Sequence, residues 1–202
     1  METDIILSHE ETLFIDQALG KDDGVIAFPT DTVYGMGCVI GNEASANKIY
    51  DIKGRDKQKP LTLLGVDFDS LERYVKYVPE KAEELIKHYW PGGLTIILPK
   101  SRYVPDYITS GLDTVGIRVP NHPVFLEVLK RCVQDKVLAT TSANFSYQSE
   151  MITYDQVKEV LFDKIDYIIP EHGIISKGIA STVISITKDN KIKVLREGEI
   201  KF

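Results

Sequence analysis

The chain has 202 residues, 43% hydrophobic and 27% charged, with 24 Lys and Arg against 30 Asp and Glu for a net charge of -6. That length suits one core and is short for two ordinary domains, and the normal apolar content excludes intrinsic disorder. The acidic balance argues against a protein whose main work is coating nucleic acid.

The N-terminus, METDIILSHEETLF, carries acids where a signal peptide has a basic flank, so the expected location is the cytoplasm. Ser8 and Glu11 stand at capping-box spacing and open a predicted helix that runs to Leu19 and stops at Gly20. Residues 25–28 read as a buried strand, followed by a loop, PTDTVYGMG. A helix over residues 42–52 has Asn42 as its cap. Residues 61–66 read as a strand, and 70–76 and 79–89 as two short helices, the second with Pro79 near its first turn. Strands are predicted at 94–98, 114–119 and 137–140, with a helix over 122–132 between the last two. A second capping-box spacing, Thr153 to Gln156, opens a helix over 153–162. Short strands at 167–169, 182–186 and 192–195 finish the pattern. The fold class expected is α/β: a mixed parallel and antiparallel sheet covered by helices, as a single domain over residues 1–202. The longest apolar runs, such as 94–99, are strand-sized and exclude a membrane-spanning helix.

Several familiar chemistries are missing from the sequence. There is no GxxxxGK[ST] phosphate loop, and Gly35, Gly37 and Gly41 miss the dinucleotide spacing by one residue. His9 and Glu10 begin an HExxH pattern that fails at Leu13, and the four histidines are scattered, so no protein-ligated metal is expected. Ser142 lacks the GxSxG elbow of a hydrolase. Cys38 and Cys132 are lone thiols without CxxC spacing, read as small apolar residues of the core.

Three stretches carry more polar detail than a core requires. Residues 29–35, PTDTVYG, follow a buried strand, where open α/β sheets bind ligands. A turn satisfying its own backbone is the plainer alternative. Residues 53–60, KGRDKQKP, place four cations between a helix and a strand. Gly54 gives the backbone freedom to aim Lys53 and Arg55 at one anion, although Lys53 also suits a helix C-terminus. Residues 140–146, TTSANFS, offer hydroxyls and an amide suited to carboxylate, phosphate or ribose, and equally fit a bland turn. Arg118 sits in strand-like VGIRVP and must face solvent or a polar crevice, with the crevice favoured. Tyr34 and Trp90 read as packing residues.

In order along the chain, PTDTVYGMG, KGR, YWPGG, VGIRVPNHP, TTSAN and STVI resemble the YrdC-like family of threonylcarbamoyl-adenylate synthases. The resemblance runs from about Gly24 to Arg196 and implies a twisted mixed sheet around a large, positively charged crevice. Some relatives carry an extra C-terminal domain, for which this chain has no room. It implies condensation of L-threonine, bicarbonate or carbon dioxide, and ATP carrying Mg²⁺ to threonylcarbamoyl-adenylate and pyrophosphate. Partner enzymes then modify a tRNA adenosine beside the anticodon. The family's KxR…SxN tetrad matches Lys53, Arg55, Ser142 and Asn144. Thr32, Arg118, Ser142 and Ser181 would contact threonine; Arg55, Lys59, Thr114, Asn144, Thr153 and Arg196 would contact ATP. Three positions depart from the family: Asp56 for a proline, Leu64 for a histidine near threonine, and Tyr147 for a glycine. Leu64 and Val183 are candidates for a pocket that receives the threonine methyl. The same crevice would also suit an RNA-binding module, or a paralogue with another carbamoyl or adenylyl transfer activity.

Overall fold

A computed structural model describes residues 6–54, 56, 58–145, 148–187 and 190–202. Helix α1 (His9–Leu19) opens as its spacing predicts. The Ser8 hydroxyl accepts from the Glu11 amide at 3.1 Å while the Glu11 carboxylate accepts from the Ser8 amide at 2.8 Å. There follow β1 (Ile26–Phe28), β2 (Gly35–Val39), α2 (Glu43–Lys53), β3 (Thr62–Gly65), α3 (Phe68–Glu72), α4 (Glu80–Tyr89) and β4 (Leu94–Pro99). The remainder comprises α5 (Asp106–Thr109), β5 (Thr114–Arg118), α6 (Pro123–Cys132), β6 (Val137–Ser142), α7 (Tyr154–Leu161), β7 (Tyr167–Ile168), β8 (Thr182–Ile186) and β9 (Ile192–Arg196).

The strands form one mixed sheet in the order β7-β1-β2-β6-β3-β5-β4-β8-β9. β1 with β7, β3 with β5 and β4 with β8 run parallel, and the other neighbours pair antiparallel. Alternation along the strands divides the core between the two faces. Val25, Ala27, Met36, Leu63, Ile117 and Ala139 point into the larger cluster, which the other helices cover. Ile26, Phe28, Leu64 and Leu138 point the opposite way, against Ile15 and Leu19 of α1 and Phe125 and Leu129 of α6. Phe28 and Phe125 stack there at 4.2 Å between ring centroids.

Three elements differ from the sequence reading: β2, the start of α3, and α5, where no element was expected. β2 stands where a continuous loop was expected, because its outward positions are glycines. A Cβ on Gly35 would meet the Phe28 ring at 2.7 Å, and one on Gly37 would meet the Ala139 carbonyl oxygen at 2.8 Å. Helix α3 begins earlier than its apolar pattern suggests because Asp67 caps it, accepting from the Ser70 amide at 2.8 Å. Cys38 is buried in the core as expected, and burial pushes its thiol up to about 12. Cys132 corrects the expectation: it is half-buried at the end of α6 rather than in the core. Among the described residues no helix is long and apolar enough to cross a membrane.

Asp166 ties the β1–β7 edge together. Its amide donates to the Val25 carbonyl and its carboxylate accepts from the Val25 amide, each at 2.9 Å, and from Lys21 and Lys48 Nζ, each at 2.8 Å. Burial pushes this carboxyl's pKa up, but the two lysines and the amide outweigh it and hold it below the ordinary value. A carboxyl with a depressed native pKa stabilises the fold above its unfolded pKa and loses that contribution as pH falls through the native one. Asp166→Asn should therefore cost about 1–3 kcal/mol at pH 7 in urea unfolding. The deficit should shrink once pH drops below about 3.9; a deficit unchanged between pH 7 and pH 3 would contradict the assignment.

Candidate active site

Helices α1 and α6 cover only part of their face of the sheet. Beside them, residues alternating with the core positions of the middle strands expose Thr62, Leu64, Thr95, Arg118, Thr140, Ser142 and Val183 to a cavity of about 150 Å³. Gly116 keeps the floor low, since a Cβ there would lie 3.4 Å from both Thr62 Oγ1 and Thr95 Cγ2. The loop between β1 and β2 forms one wall. Its turn is local: the Thr30 hydroxyl donates to the Val33 carbonyl at 2.6 Å and lies 3.1 Å from the Thr32 hydroxyl.

Arg118 is the best-held charge in the cavity. Its Nε donates to the Gly92 carbonyl at 2.8 Å, one terminal nitrogen donates to Thr32 Oγ1 at 2.9 Å, and the other pairs with Asp31. The two charged side chains are only 6% and 4% exposed, and Asp31 is held in turn by the Asn121 amide at 3.1 Å. Desolvation pulls the Arg118 pKa down, and the Asp31 carboxylate pushes it back up. The crevice favoured for Arg118 is thus where the residue lies. Its anchor, Asp31, was not singled out from the sequence; the signal available was an acid in a loop expected to bind ligand.

Residues 171–181 strap over the loop between β1 and β2. The Ser176 hydroxyl donates to the Thr30 carbonyl at 2.7 Å, and the Gly178 amide to the Thr32 carbonyl at 2.8 Å. His122 Nε2 donates to the Ile174 carbonyl at 2.9 Å, and burial lowers its pKa, keeping the ring neutral. The strap delivers Ser181, whose hydroxyl lies 2.9 Å from Thr95 Oγ1 and accepts from the Arg196 guanidinium at 2.9 Å.

The third element is the turn after β6. The Ser142 hydroxyl donates to Asn144 Oδ1 at 2.6 Å, and Asn144 Nδ2 donates to the Gln148 carbonyl at 2.7 Å. Lys53 reaches this turn from the end of α2. Gly54 follows it with φ +54°, a left-handed cap that favours glycine, and leaves the lysine tail pointing inward. Its ammonium donates to the main-chain carbonyls of Ser142, at 2.5 Å, and of Asn144.

Of the residues expected to meet threonine, Thr32, Arg118, Ser142 and Ser181 all line one cavity. Of those expected on the nucleotide, Arg196 lines it too, and Asn144 lines an adjoining open groove of about 500 Å³. Lys59, Thr114 and Thr153 line neither. Thr114 pairs with Pro99, and the Thr153 hydroxyl caps α7 by accepting from the Gln156 amide at 3.4 Å. Arg55, expected in the tetrad, and Tyr147, expected to reshape the neighbouring loop, lie outside the described residues. Asp56, standing where the family has proline, forms a local turn by accepting from the Gln58 amide at 2.9 Å. Leu64 and Val183 both line the cavity. Tyr34 is a packing residue, as read, and its hydroxyl donates to the Ile169 carbonyl at 2.8 Å. Trp90 packs against the larger cluster with its indole N–H bonded to the Leu94 carbonyl at 2.7 Å. No group of three or more His, Cys, Asp or Glu able to hold a metal occurs among the described residues.

A mixed sheet with one half-covered face presents hydroxyls and guanidiniums around a small cavity. A family model for Sua5/YciO/YrdC, under the description telomere recombination, matches residues 18–198. The threonylcarbamoyl-AMP synthase of Pyrococcus abyssi is 39% identical over 168 residues, 83% of this chain and 48% of that protein. The Bacillus subtilis threonylcarbamoyl-AMP synthase is 36% identical over 199 residues, 98% of this chain and 56% of that one. A crystal structure of P. abyssi Sua5 complexed with L-threonine matches with a TM-score of 0.86 and 36% identity, covering 95% of this chain and 55% of that one. The chain belongs to the Sua5/YciO/YrdC family and spans about half the length of these relatives.

Replacing Arg118 with Met should leave the buried Asp31 carboxylate without its counter-charge. In the ligand-free protein this should cost about 3–5 kcal/mol, measured by urea unfolding. Adding Asp31→Asn should restore part of the loss, because the uncompensated charge is then gone. A single variant as stable as the parent would show that the pair does not hold this wall.

Proposed function

We propose that this chain condenses L-threonine, bicarbonate or carbon dioxide, and ATP to threonylcarbamoyl-AMP and pyrophosphate. The product would supply enzymes that transfer the threonylcarbamoyl group to a tRNA adenosine, which places the work in the cytoplasm. The observation that carries the reading is the meeting of Thr32, Arg118, Ser142 and Ser181 around a cavity of about 150 Å³. A space of that size accommodates a small amino acid. ATP, entering as its Mg²⁺ complex, would turn its phosphates toward Arg196 in the cavity wall, with Asn144 at the edge of the adjoining groove.

The chemistry follows from charge. Threonine carboxylate, bicarbonate and polyphosphate repel one another, by about 4 kcal/mol for two unit charges 4 Å apart at an effective dielectric of 20. Arg118 offers a fixed guanidinium to the carboxylate, with the Ser181 and Thr32 hydroxyls beside it. The neutral threonine amine attacks carbon dioxide and forms a carbamate, releasing a proton. A carbamate oxygen then attacks the α-phosphorus, and the bond to the bridging oxygen breaks to release pyrophosphate. Ser142 and Asn144 would align the reactants, and Lys53 fixes their turn through its main-chain carbonyls. Arg55 and Lys59 remain proposed nucleotide contacts. Leu64 and Val183 supply apolar wall for the substrate methyl, a contact worth about 1–3 kcal/mol against serine.

Pyrophosphate release should require ATP, bicarbonate and threonine together, with threonine preferred in a panel of amino acids. Release indifferent to the amino acid, or none at all, would reject the reading and favour RNA binding or another transfer reaction. Lys53→Ala should lower turnover at least about tenfold, the equivalent of one charged hydrogen bond. Ser181→Ala should raise the KM for threonine far more than that for ATP, and equal effects would mean the contacts of the two substrates are assigned wrongly.

A further inference from the structure

Three carboxylates around the site have a buried oxygen without a hydrogen-bond partner: Asp31 Oδ2, Glu199 Oε2 and Glu150 Oε2. The other oxygen of Asp31 is held by Arg118 and the Asn121 amide, and that of Glu199 by Lys177. Neither of those residues lines the cavity. Glu150 does, and it also lines the adjoining groove, so the residue stands where the two meet.

Its position is fixed from both sides. The carbonyl of Gln148 accepts from Asn144 Nδ2 at 2.7 Å, and the carbonyl of Met151 accepts from the Tyr34 amide at 2.8 Å. The next amide, of Ile152, is capped by Gln156 Oε1 at 2.8 Å. Gln148, two residues before Glu150, and Met151, the residue after it, are thus tied to the Ser142 turn and to the residue before β2. Glu150 Oε2 is covered and unpaired, a costly state, while the residue itself lines the cavity from which a cationic donor would come. Across the cavity, partial desolvation pulls the Arg196 guanidinium's pKa down, and the Glu150 charge opposes this. No salt bridge joins the two, and Arg196 spends its hydrogen bonds on Ser181.

An amino acid is a zwitterion. Arg118 and the hydroxyls answer its carboxylate, and none of them carries the negative charge its ammonium needs. Among the described residues lining the cavity, Glu150 carries that charge. We infer that Glu150 is a specificity-determining residue whose carboxylate receives the α-ammonium of the amino-acid substrate and thereby selects amino acids over other small carboxylates. The inference rests on the proposed use of an amino acid, and goes beyond it by naming the group that reads the amine.

The test is calorimetric titration of the whole chain and of Glu150→Gln with L-threonine, with 2,3-dihydroxybutanoate (hydroxyl in place of the amine) and with Mg²⁺·ATP. The parent should prefer threonine to the dihydroxy acid at least fivefold. Glu150→Gln should lose at least fivefold in threonine affinity while changing less than twofold toward ATP. A parent that binds threonine without that preference overturns the inference by itself, whatever the variant's behaviour. So does a variant that loses less than fivefold toward threonine, or one whose ATP affinity falls by twofold or more, which would make Glu150 a ribose acceptor. A parent that binds no amino acid in the panel overturns the proposed reaction, and this inference with it.

Discussion

The buried Arg118–Asp31 pair is the contact on which the site's geometry depends. It joins the end of β5 to the loop after β1, two segments that the sheet order separates by β2, β6 and β3. The same guanidinium reaches Thr32 and the Gly92 carbonyl, so one side chain sets the spacing of three walls. Such a pair contributes little net stability once desolvation of both charges is counted. Its worth lies in position: a guanidinium held by neutral and anionic groups on its flanks keeps one face free of rotational search for a ligand anion.

Glycine makes this arrangement possible. The strand carrying Gly35 and Gly37 lies between β1 and β6 and brings the Thr32 loop against the Ser142 turn. Larger side chains on that face would collide with Phe28 or with the β6 backbone. The segment is therefore apolar on its core side, with Met36 and Cys38, and empty on the other. This is why β2 was illegible as a strand. Alternation of apolar with polar residues is the usual sign of a half-buried strand, and here glycine stands where the second class should appear.

The rest of the sheet could be read because burial and side-chain shape coincide. Strands β3 to β6 are β-branched or apolar on their core faces and carry threonine, serine or arginine on the cleft face. The helices of α1 and α7 announce themselves by capping boxes, which are local and survive any tertiary context. Site residues were legible where a motif is dense, as in TTSAN, or where a charge sits in a strand, as at Arg118. Partners supplied by distant segments were not. Nothing near Asp31 in sequence points to Arg118, nothing near Thr95 points to Ser181, and Glu150 lies in a polar stretch that reads as ordinary loop. Lys53 was legible as a site residue, and its ammonium donates to two carbonyls of the Ser142 turn.

Local charge decides how a small acidic protein concentrates anions. A cavity lined only by cations would bind any anion strongly and all alike. Here Arg118 is largely neutralised by Asp31 before any ligand arrives, and Glu150 adds a negative charge at the cavity wall. The cavity is then close to balanced in charge. A ligand meets the local balance at the cavity wall, Arg118 and Arg196 against Asp31 and Glu150. Over distances of a few ångström inside a cavity this matters more than the net charge of the chain, because solvent screening acts over roughly 8 Å. The overall charge of -6 is thus compatible with the three anionic reactants of the proposed reaction meeting at one site.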